Sequence, residues 1–372
     1  MAVKPGTITP VLQILLITFP FFALVLAGYV AARRKMLPLE AIPGLNGFVL
    51  YFALPCMLYR FGSTTPLAQL LDAPLFLTYL FCALVMVGFV VAASLNRRIG
   101  WNDAAFGALV AAFPNTGFMG VPLLVALMGN AAAGPAIVTI LVDLVITSSL
   151  CIALSRLDTM VTVTPSSTGM ELSASGAEPP PLAGPSPAGV AAKNALKGVA
   201  TNPMPWAIAL GGLSSAVQLS LPTPVMQTVG LLADAASPVA LFTIGAVLAR
   251  SQIMTAGGPS ALITGTNRGG EVSAHATVHL PLRDYVPVAL VKLLVHPLLV
   301  LLVGATAIHF GLPIERFALT VIVLVAALPS ASNVSLLAEK FGANNGRIAR
   351  IILVSTALAF FTFSGAVTLL RG

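Results

Sequence analysis

Apolar residues run through this chain in long windows, and polar residues collect between them. Uncharged stretches cover 11–32, 41–59, 74–96, 104–142, 203–233, 317–338 and 351–370. About 20 apolar residues suffice to carry a helix across a bilayer. The pattern predicts ten helical spans, near 9–32, 43–61, 74–96, 103–127, 134–156, 203–221, 227–249, 286–310, 316–340 and 348–370. No stretch alternates apolar and polar residues as a barrel strand would. The expected fold is an all-α integral membrane protein.

Two of these spans carry proline at mid-length, in AAFPN (111–115) and AALPS (326–330). Proline removes a backbone donor and clashes with the preceding turn, so spans four and nine should break there. A broken helix at membrane depth is tolerated only where protein or a water-filled cavity satisfies the freed groups. Residues 157–202 hold SSTGMELSASGAEPPPLAGPSPAG, which cannot bury enough apolar surface to fold, and read as a flexible cytoplasmic linker. The linker divides the chain into a first five-helix repeat, 1–156, and a second, 203–372. An odd number of spans in each half gives the halves opposite orientations. Breaks at matching places in inverted halves point to a transport site. Pro55 in span two and Pro238 in span seven also correspond, and each predicts a bend.

Composition agrees with the pattern. The chain has 57% hydrophobic and 8% charged residues, and soluble domains carry about 25% charged residues. The net charge of +7 does not point to nucleic acid, because the basic residues sit at span ends. Fourteen Lys and Arg residues fall on one side of the spans and four on the other, which places the first side in the cytoplasm and both termini outside. The expected location is a bacterial inner membrane, crossed many times. The first apolar segment is too long for a signal peptide's core, and its basic cluster follows rather than precedes it. Cys56, Cys82 and Cys151 lie within spans and read as small buried hydrophobes rather than a disulfide framework. The stretch 251–285 reads as a cytoplasmic loop insertion. Its His275 and His279 are four apart but lack a third ligand, so no metal site is expected.

The chemistry concentrates at the breaks. In FGALVAAFPNTGFMGVPLLVALMG, Pro114 and Pro122 bracket NTGFMG, and Gly117 and Gly120 permit conformations outside the helix. Two half-helices joined by a short extended piece should result. A half-helix start presents free N–H groups and a partial positive charge, which favours an anion. Asn115 and Thr116 add side-chain donors and acceptors. In span nine, Pro329 breaks the helix, and Ser330, Ser332 and Asn333 supply polar groups at the new start. If the two spans cross, both starts aim at one spot that suits a small organic anion.

The runs FPNTGFMGVPLL (113–124) and ALPSASNVSLLAEKFG (327–342), with YFALPCMLY and GRIARIILVSTALAF, resemble the auxin efflux carrier family of permeases. The similarity covers the ten spans and leaves out the two loops. Within that family the sequence looks closest to members described as malonate transporters. The resemblance implies two inverted five-helix repeats, a scaffold of spans one, two, six and seven, and a mobile domain of the other six. It further implies an elevator motion and a substrate at the crossover, near Pro114, Asn115, Pro329 and Asn333. Plant members carry Asn–Pro–Asn at both breaks. Phe113–Pro114–Asn115 and Leu328–Pro329–Ser330 depart from that and favour an organic acid other than auxin.

Ionisable groups inside the membrane are costly and are functional candidates by default. Asp143, about nine residues into span five, is a candidate proton carrier or cation ligand. Lys292 and His296 share a face of span eight. Lys292 could pair with a substrate carboxylate or with Asp143, or snorkel to the cytoplasmic end. His296 could relay protons or serve structure. Asp234 in span seven could line the substrate cavity or bind a cation. No nucleotide-binding, hydrolase or metalloprotease motif is present, so an enzyme is not expected and no cofactor is implied. The expected activity is secondary transport of a small organic anion, a dicarboxylate such as malonate, by proton symport. Alternatives are a sodium-coupled permease of the same architecture, a membrane receptor that binds without transporting, and a channel. A homodimer is a possible assembly.

Overall fold

A computed structural model of the chain describes residues 10–157, 203–256 and 281–371. The bulk of the expected linker 157–202, and His275 and His279 with the rest of 257–280, lie outside the described residues. The described residues form helices and no named strand, with two isolated bridges.

In chain order the helices are α1 (Pro10–Arg33), α2 (Ile42–Thr64), α3 (Ala73–Ser94), α4 (Trp101–Ala112), α5 (Thr116–Met128) and α6 (Asn130–Leu154). They continue as α7 (Pro203–Ala216), α8 (Thr223–Ala256), α9 (Val286–His309), α10 (Arg316–Ala326), α11 (Asn333–Lys340) and α12 (Asn345–Arg371). Among the described residues, seven helical stretches are long and apolar enough to cross a membrane. The fourth and ninth expected spans appear instead as the pairs α4/α5 and α10/α11, each interrupted at its proline.

Two boundaries differ from the sequence reading. The sixth span ends at Ala216 rather than near 221. Gln218 takes a left-handed conformation with φ 53°, and Leu219 N–H donates to the Ser214 carbonyl at 2.9 Å, a helix-terminating motif built without glycine. The seventh span runs past its expected end, so 251–256 is helix and not loop. That helix also continues through Pro238.

Proline explains a further feature. Three π-helical turns, Val49–Ala53, Thr116–Gly120 and Val291–Val295, each end two residues before a proline, at Pro55, Pro122 and Pro297. A proline ring clashes with the carbonyl four residues earlier, and widening that turn by one residue makes room for it. The remaining π turn, Val142–Thr147, has no proline behind it. There the Thr147 and Ser148 hydroxyls donate to the Val142 and Asp143 carbonyls, at 3.4 and 2.7 Å, and hold the widened turn.

The helices pack as two groups. α1 runs along α8, and α2 along α7 and α8. Glycines set these crossings: a Cβ at Gly28 would lie 1.8 Å from the Phe242 carbonyl oxygen, and one at Gly245 would lie 1.8 Å from that of Val25. At the α2–α7 crossing, a Cβ at Gly211 would lie 2.6 Å from the Tyr59 carbonyl oxygen. Small residues allow this backbone approach, which supplies the dispersion that holds helices together in lipid. The other group packs α3, α4, α6, α9, α10 and α12 against one another over two apolar cores, the larger of which also takes in residues of α1, α2, α7 and α8. Cys82 and Cys151 are buried and Cys56 half-buried, and all three thiols are free.

Candidate functional site

The two interruptions lie against each other. Pro114 and Ser330 form an isolated antiparallel bridge. Asn115 N–H donates to the Pro329 carbonyl at 2.8 Å, and Ala331 N–H to the Phe113 carbonyl at 3.0 Å. Each break therefore satisfies backbone groups that the other exposes, as buried polar groups must be. Ser330 N–H donates to the Ser355 hydroxyl of α12 at 3.2 Å.

On the α5 side the extended piece is shorter than expected. Only Phe113–Asn115 leaves the helix, and Thr116–Gly120 is a π turn rather than extended chain. Asn115, at φ −78° and ψ 54°, forms an inverse γ-turn closed by Thr116 N–H on the Pro114 carbonyl at 2.8 Å. Its own carbonyl accepts from Met119 and Gly120. The Gly117 and Phe118 amides remain at the open first turn, where helix geometry offers no partner. Gly117 and Gly120 are not needed for unusual dihedrals, since neither has positive φ. Gly120 instead packs under Leu328: a Cβ there would lie 2.5 Å from Leu328 Cδ1, so that side chain would have to shift.

Asn115, Thr116, Ser330 and Ser332 are buried, and Asn333 and Gly117 half-buried. Asn115, Thr116, Gly117 and Asn333 line a small cavity of about 30 Å³. Leu54 and Leu58 of α2, Met204 of α7, and Ile140 and Leu144 of α6 close it. Its walls thus come from both helix groups. The space suits about one or two waters. Two buried polar atoms here have no hydrogen-bond partner, Ser330 Oγ and Asn333 Oδ1. Buried polar atoms are normally paired, so Asn333 Oδ1, on a residue of the cavity wall, is open to a donor from a ligand or water, whereas Ser330 sits behind the wall at the bridge to Pro114.

A second polar cluster is fully buried beside the crossing. Asp143 sits in the Val142–Thr147 π turn. It accepts from the Tyr79 phenol at 2.9 Å and from the Thr147 hydroxyl at 3.2 Å. Lys292 sits in the Val291–Val295 π turn, and its Nζ contacts His296 Nδ1 at 2.9 Å. Nζ also donates to the Ala326 carbonyl at 3.0 Å, the last residue of α10 before the break. The two halves approach through Tyr79 and His296, whose rings are 6.1 Å apart. Lys292 is 0% exposed, so it does not snorkel. It also makes no direct ion pair with Asp143, contrary to one expected partnership; its hydrogen bonds go to His296 and the broken end of α10. His296 Nε2 has no hydrogen-bond partner.

Asp234 belongs to neither cluster. Its side chain is 71% exposed and pairs with Arg60 at 2.7 Å, so it does not line the cavity. Residues 223–256 form one helix, and Asp234 lies on an exposed part of it. Tyr79 was not anticipated from the sequence, although a phenol inside an apolar span always needs a partner for its hydroxyl. Ser355 was missed too, since a lone serine in a span carries no such demand.

A family model described as membrane transport protein matches residues 8–367. A protein of Rhizobium meliloti (strain 1021) named "Putative malonate transporter" is 27% identical over 356 residues, 95% of each chain.

Proposed function

The chain belongs to the membrane transport protein family of the auxin efflux carriers and is a multi-pass transporter rather than an enzyme, and from that premise we propose that it moves a small organic anion. The observation that carries the substrate class is the crossing itself. Two half-helix starts meet there, with the unpaired Ser330 hydroxyl at the bridge to Pro114, and with Asn333, whose amide nitrogen can donate, on the cavity wall beside Asn115 and Thr116. Uncharged donors at helix starts recognise carboxylates without a fixed counter-ion. The relative's name makes malonate, a dicarboxylate, the first substrate to test.

The motion is of the elevator type. α1, α2, α7 and α8 form the scaffold, locked by their glycine crossings, and the remaining helices carry the site past it. The cavity takes wall residues from both groups, so sliding one group past the other changes its size and access. The substrate enters when the groups slide apart.

The architecture is two inverted repeats of five spans. Exchange of the halves maps the α1–α8 crossing onto the α7–α2 crossing, and facing glycines occur in both. It also maps the ends of α1 and α7 onto each other, and these ends carry the left-handed non-glycine residues Lys35 and Gln218. Both termini lie outside, in an inner membrane, on the charge asymmetry of the loops.

Coupling is to protons, through Asp143, Lys292 and His296, with Tyr79 holding the carboxyl. Both Asp143 oxygens already receive hydroxyl donors, which fits a carboxyl that exchanges a proton better than one that ligates sodium. Lys292 connects this cluster to the end of α10, so a change of charge there alters the crossing.

Uptake of labelled malonate into proteoliposomes tests the reading. Asn115→Ala is expected to lower uptake at least tenfold, the effect of removing an interaction of about 1.4 kcal/mol or more. Unchanged uptake in the variant removes the site, and sodium-driven uptake without proton dependence removes the coupling. Counterflow separates a carrier from a receptor, which gives none, and an ohmic current identifies a channel.

A further inference from the structure

One end of the six-helix group carries a cleft lined by two arginines, Arg283 and Arg347, away from the residues of the crossing. The cleft has a volume of about 290 Å³ and lies between the ends of α3, α9 and α12. One of its walls is apolar, from Phe89 and Ala93 of α3 and Pro287 of α9, and Phe89 is 51% exposed. Its other wall holds Arg283, Asp284 and Arg347. The adjoining tight turn Asn96–Ile99 presents Arg97 and Arg98, both exposed.

Arg347 is 2% exposed and built into place. Its Nε donates to the Asp284 carbonyl and its Nη1 to the Asp103 carbonyl, each at 2.8 Å. Gly107 makes room for it, since a Cβ there would lie 2.7 Å from Nη1. A guanidinium has five N–H donors, and those two bonds go to neutral carbonyls. Among the described residues no carboxylate comes within ion-pair distance of Arg347. Asp103 Oδ1 accepts from Asn344 N–H at 2.7 Å, and Asp284 Oδ1 stands 3.9 Å from Arg283 Nε, beyond hydrogen-bond range. Asp284 thus stands near Arg283, and Asp103 and Asp284 both act on Arg347 through space, but none of these carboxylates hydrogen-bonds a guanidinium, so the two groups keep N–H donors that no carboxylate engages.

We propose that this cleft binds the phosphate-bearing headgroup of an anionic phospholipid, with Arg283 and Arg347 on the phosphate and the acyl chains along Phe89 and Ala93. Basic pockets between transmembrane helices at the cytoplasmic side take such headgroups. A free phosphate uses the arginines but leaves the apolar wall idle, so the two-faced lining selects the lipid. Assigning the lipid to the cytoplasmic leaflet rests on the orientation proposed above, and the binding itself does not.

The test uses the full chain purified in detergent, given phosphatidylglycerol or phosphatidylcholine, with retained lipid read by native mass spectrometry. Phosphatidylglycerol is expected to be retained in preference to phosphatidylcholine. Arg283→Glu, at an exposed position that should not disturb folding, is expected to lower that retention at least fivefold, and Gly107→Ala, which displaces Arg347, to lower it as well. Equal retention of the two lipids, or wild-type retention in Arg283→Glu, overturns the proposal. Inorganic phosphate that displaces phosphatidylglycerol at matched concentration reassigns the cleft to a free anion and overturns the lipid. None of these outcomes depends on whether malonate is transported.

Discussion

Substituting the glycines of the α1–α8 and α2–α7 crossings by alanine should destabilise the protein in an order set by distance alone. At Gly245 the new Cβ would meet the Val25 carbonyl oxygen at 1.8 Å, and at Gly28 the Phe242 carbonyl oxygen at 1.8 Å. A carbon and a carbonyl oxygen rest at about 3.3 Å, so α1 and α8 must part locally by about 1.5 Å. The obstacle is backbone, so no rotamer change relieves it. A gap of that size forfeits more than half of the local dispersion along the seam. Overpacking of this kind costs about 2–3 kcal/mol. At Gly211 the Cβ would be 2.6 Å from the Tyr59 carbonyl oxygen, a smaller intrusion and a smaller cost. At Gly62 it would be 3.2 Å from the Ile208 carbonyl oxygen, near tolerance. Gly88 and Gly230 lie inside α3 and α8 with nothing within 4 Å of an added Cβ. Alanine there should be neutral or stabilise by about 0.5–1 kcal/mol through helix propensity. Apparent melting in detergent, followed by fluorescence-detected gel filtration, ranks the six variants. Gly28 and Gly245 should fall furthest, then Gly211, then Gly62, with both controls at or above wild type. A Gly245→Ala protein that melts with wild type, or controls that fall as far, would refute the close-contact account of this helix group.

Other expectations concern the polar clusters. Ser330→Ala removes a hydroxyl oxygen that has no partner, so melting should stay within about 0.5 kcal/mol of wild type while malonate uptake falls, and equal uptake would detach that atom from the substrate. Tyr79→Phe deletes a buried donor to Asp143 and should destabilise by about 1–3 kcal/mol, with a changed pH profile of uptake that a purely structural tyrosine would not produce. Lys292→Met removes the bond to Ala326 and should abolish uptake driven by a proton gradient but leave malonate counterflow, and loss of both together would make Lys292 part of the binding machinery instead. Asp234→Asn breaks an exposed ion pair and should shift stability by less than about 1 kcal/mol with near-normal uptake; a large loss of uptake would return Asp234 to the coupling machinery.

Much of this molecule is written locally. A bilayer accepts only helices with every backbone group satisfied, so runs of apolar residues mark the helices almost residue by residue, and α1, α3 and α6 lie close to where hydropathy puts them. Pro114 and Pro329 break their spans for a reason internal to the proline ring. Boundaries set by hydrogen-bond geometry were less legible: Gln218 ends α7 in a conformation that its residue type does not announce. What the sequence could not decide was which groups face one another. Hydropathy is a property of a segment, whereas the Asn115–Pro329 and Ala331–Phe113 bonds join residues more than two hundred positions apart. Asp234, Asp143 and Lys292 look alike as charges in apolar runs. Only packing sends Asp234 outward to Arg60, Asp143 inward to Tyr79, and Lys292 to the cut end of α10. A buried charge must find its partners wherever the fold brings them, so its role is fixed by tertiary contact and not by its place along the chain.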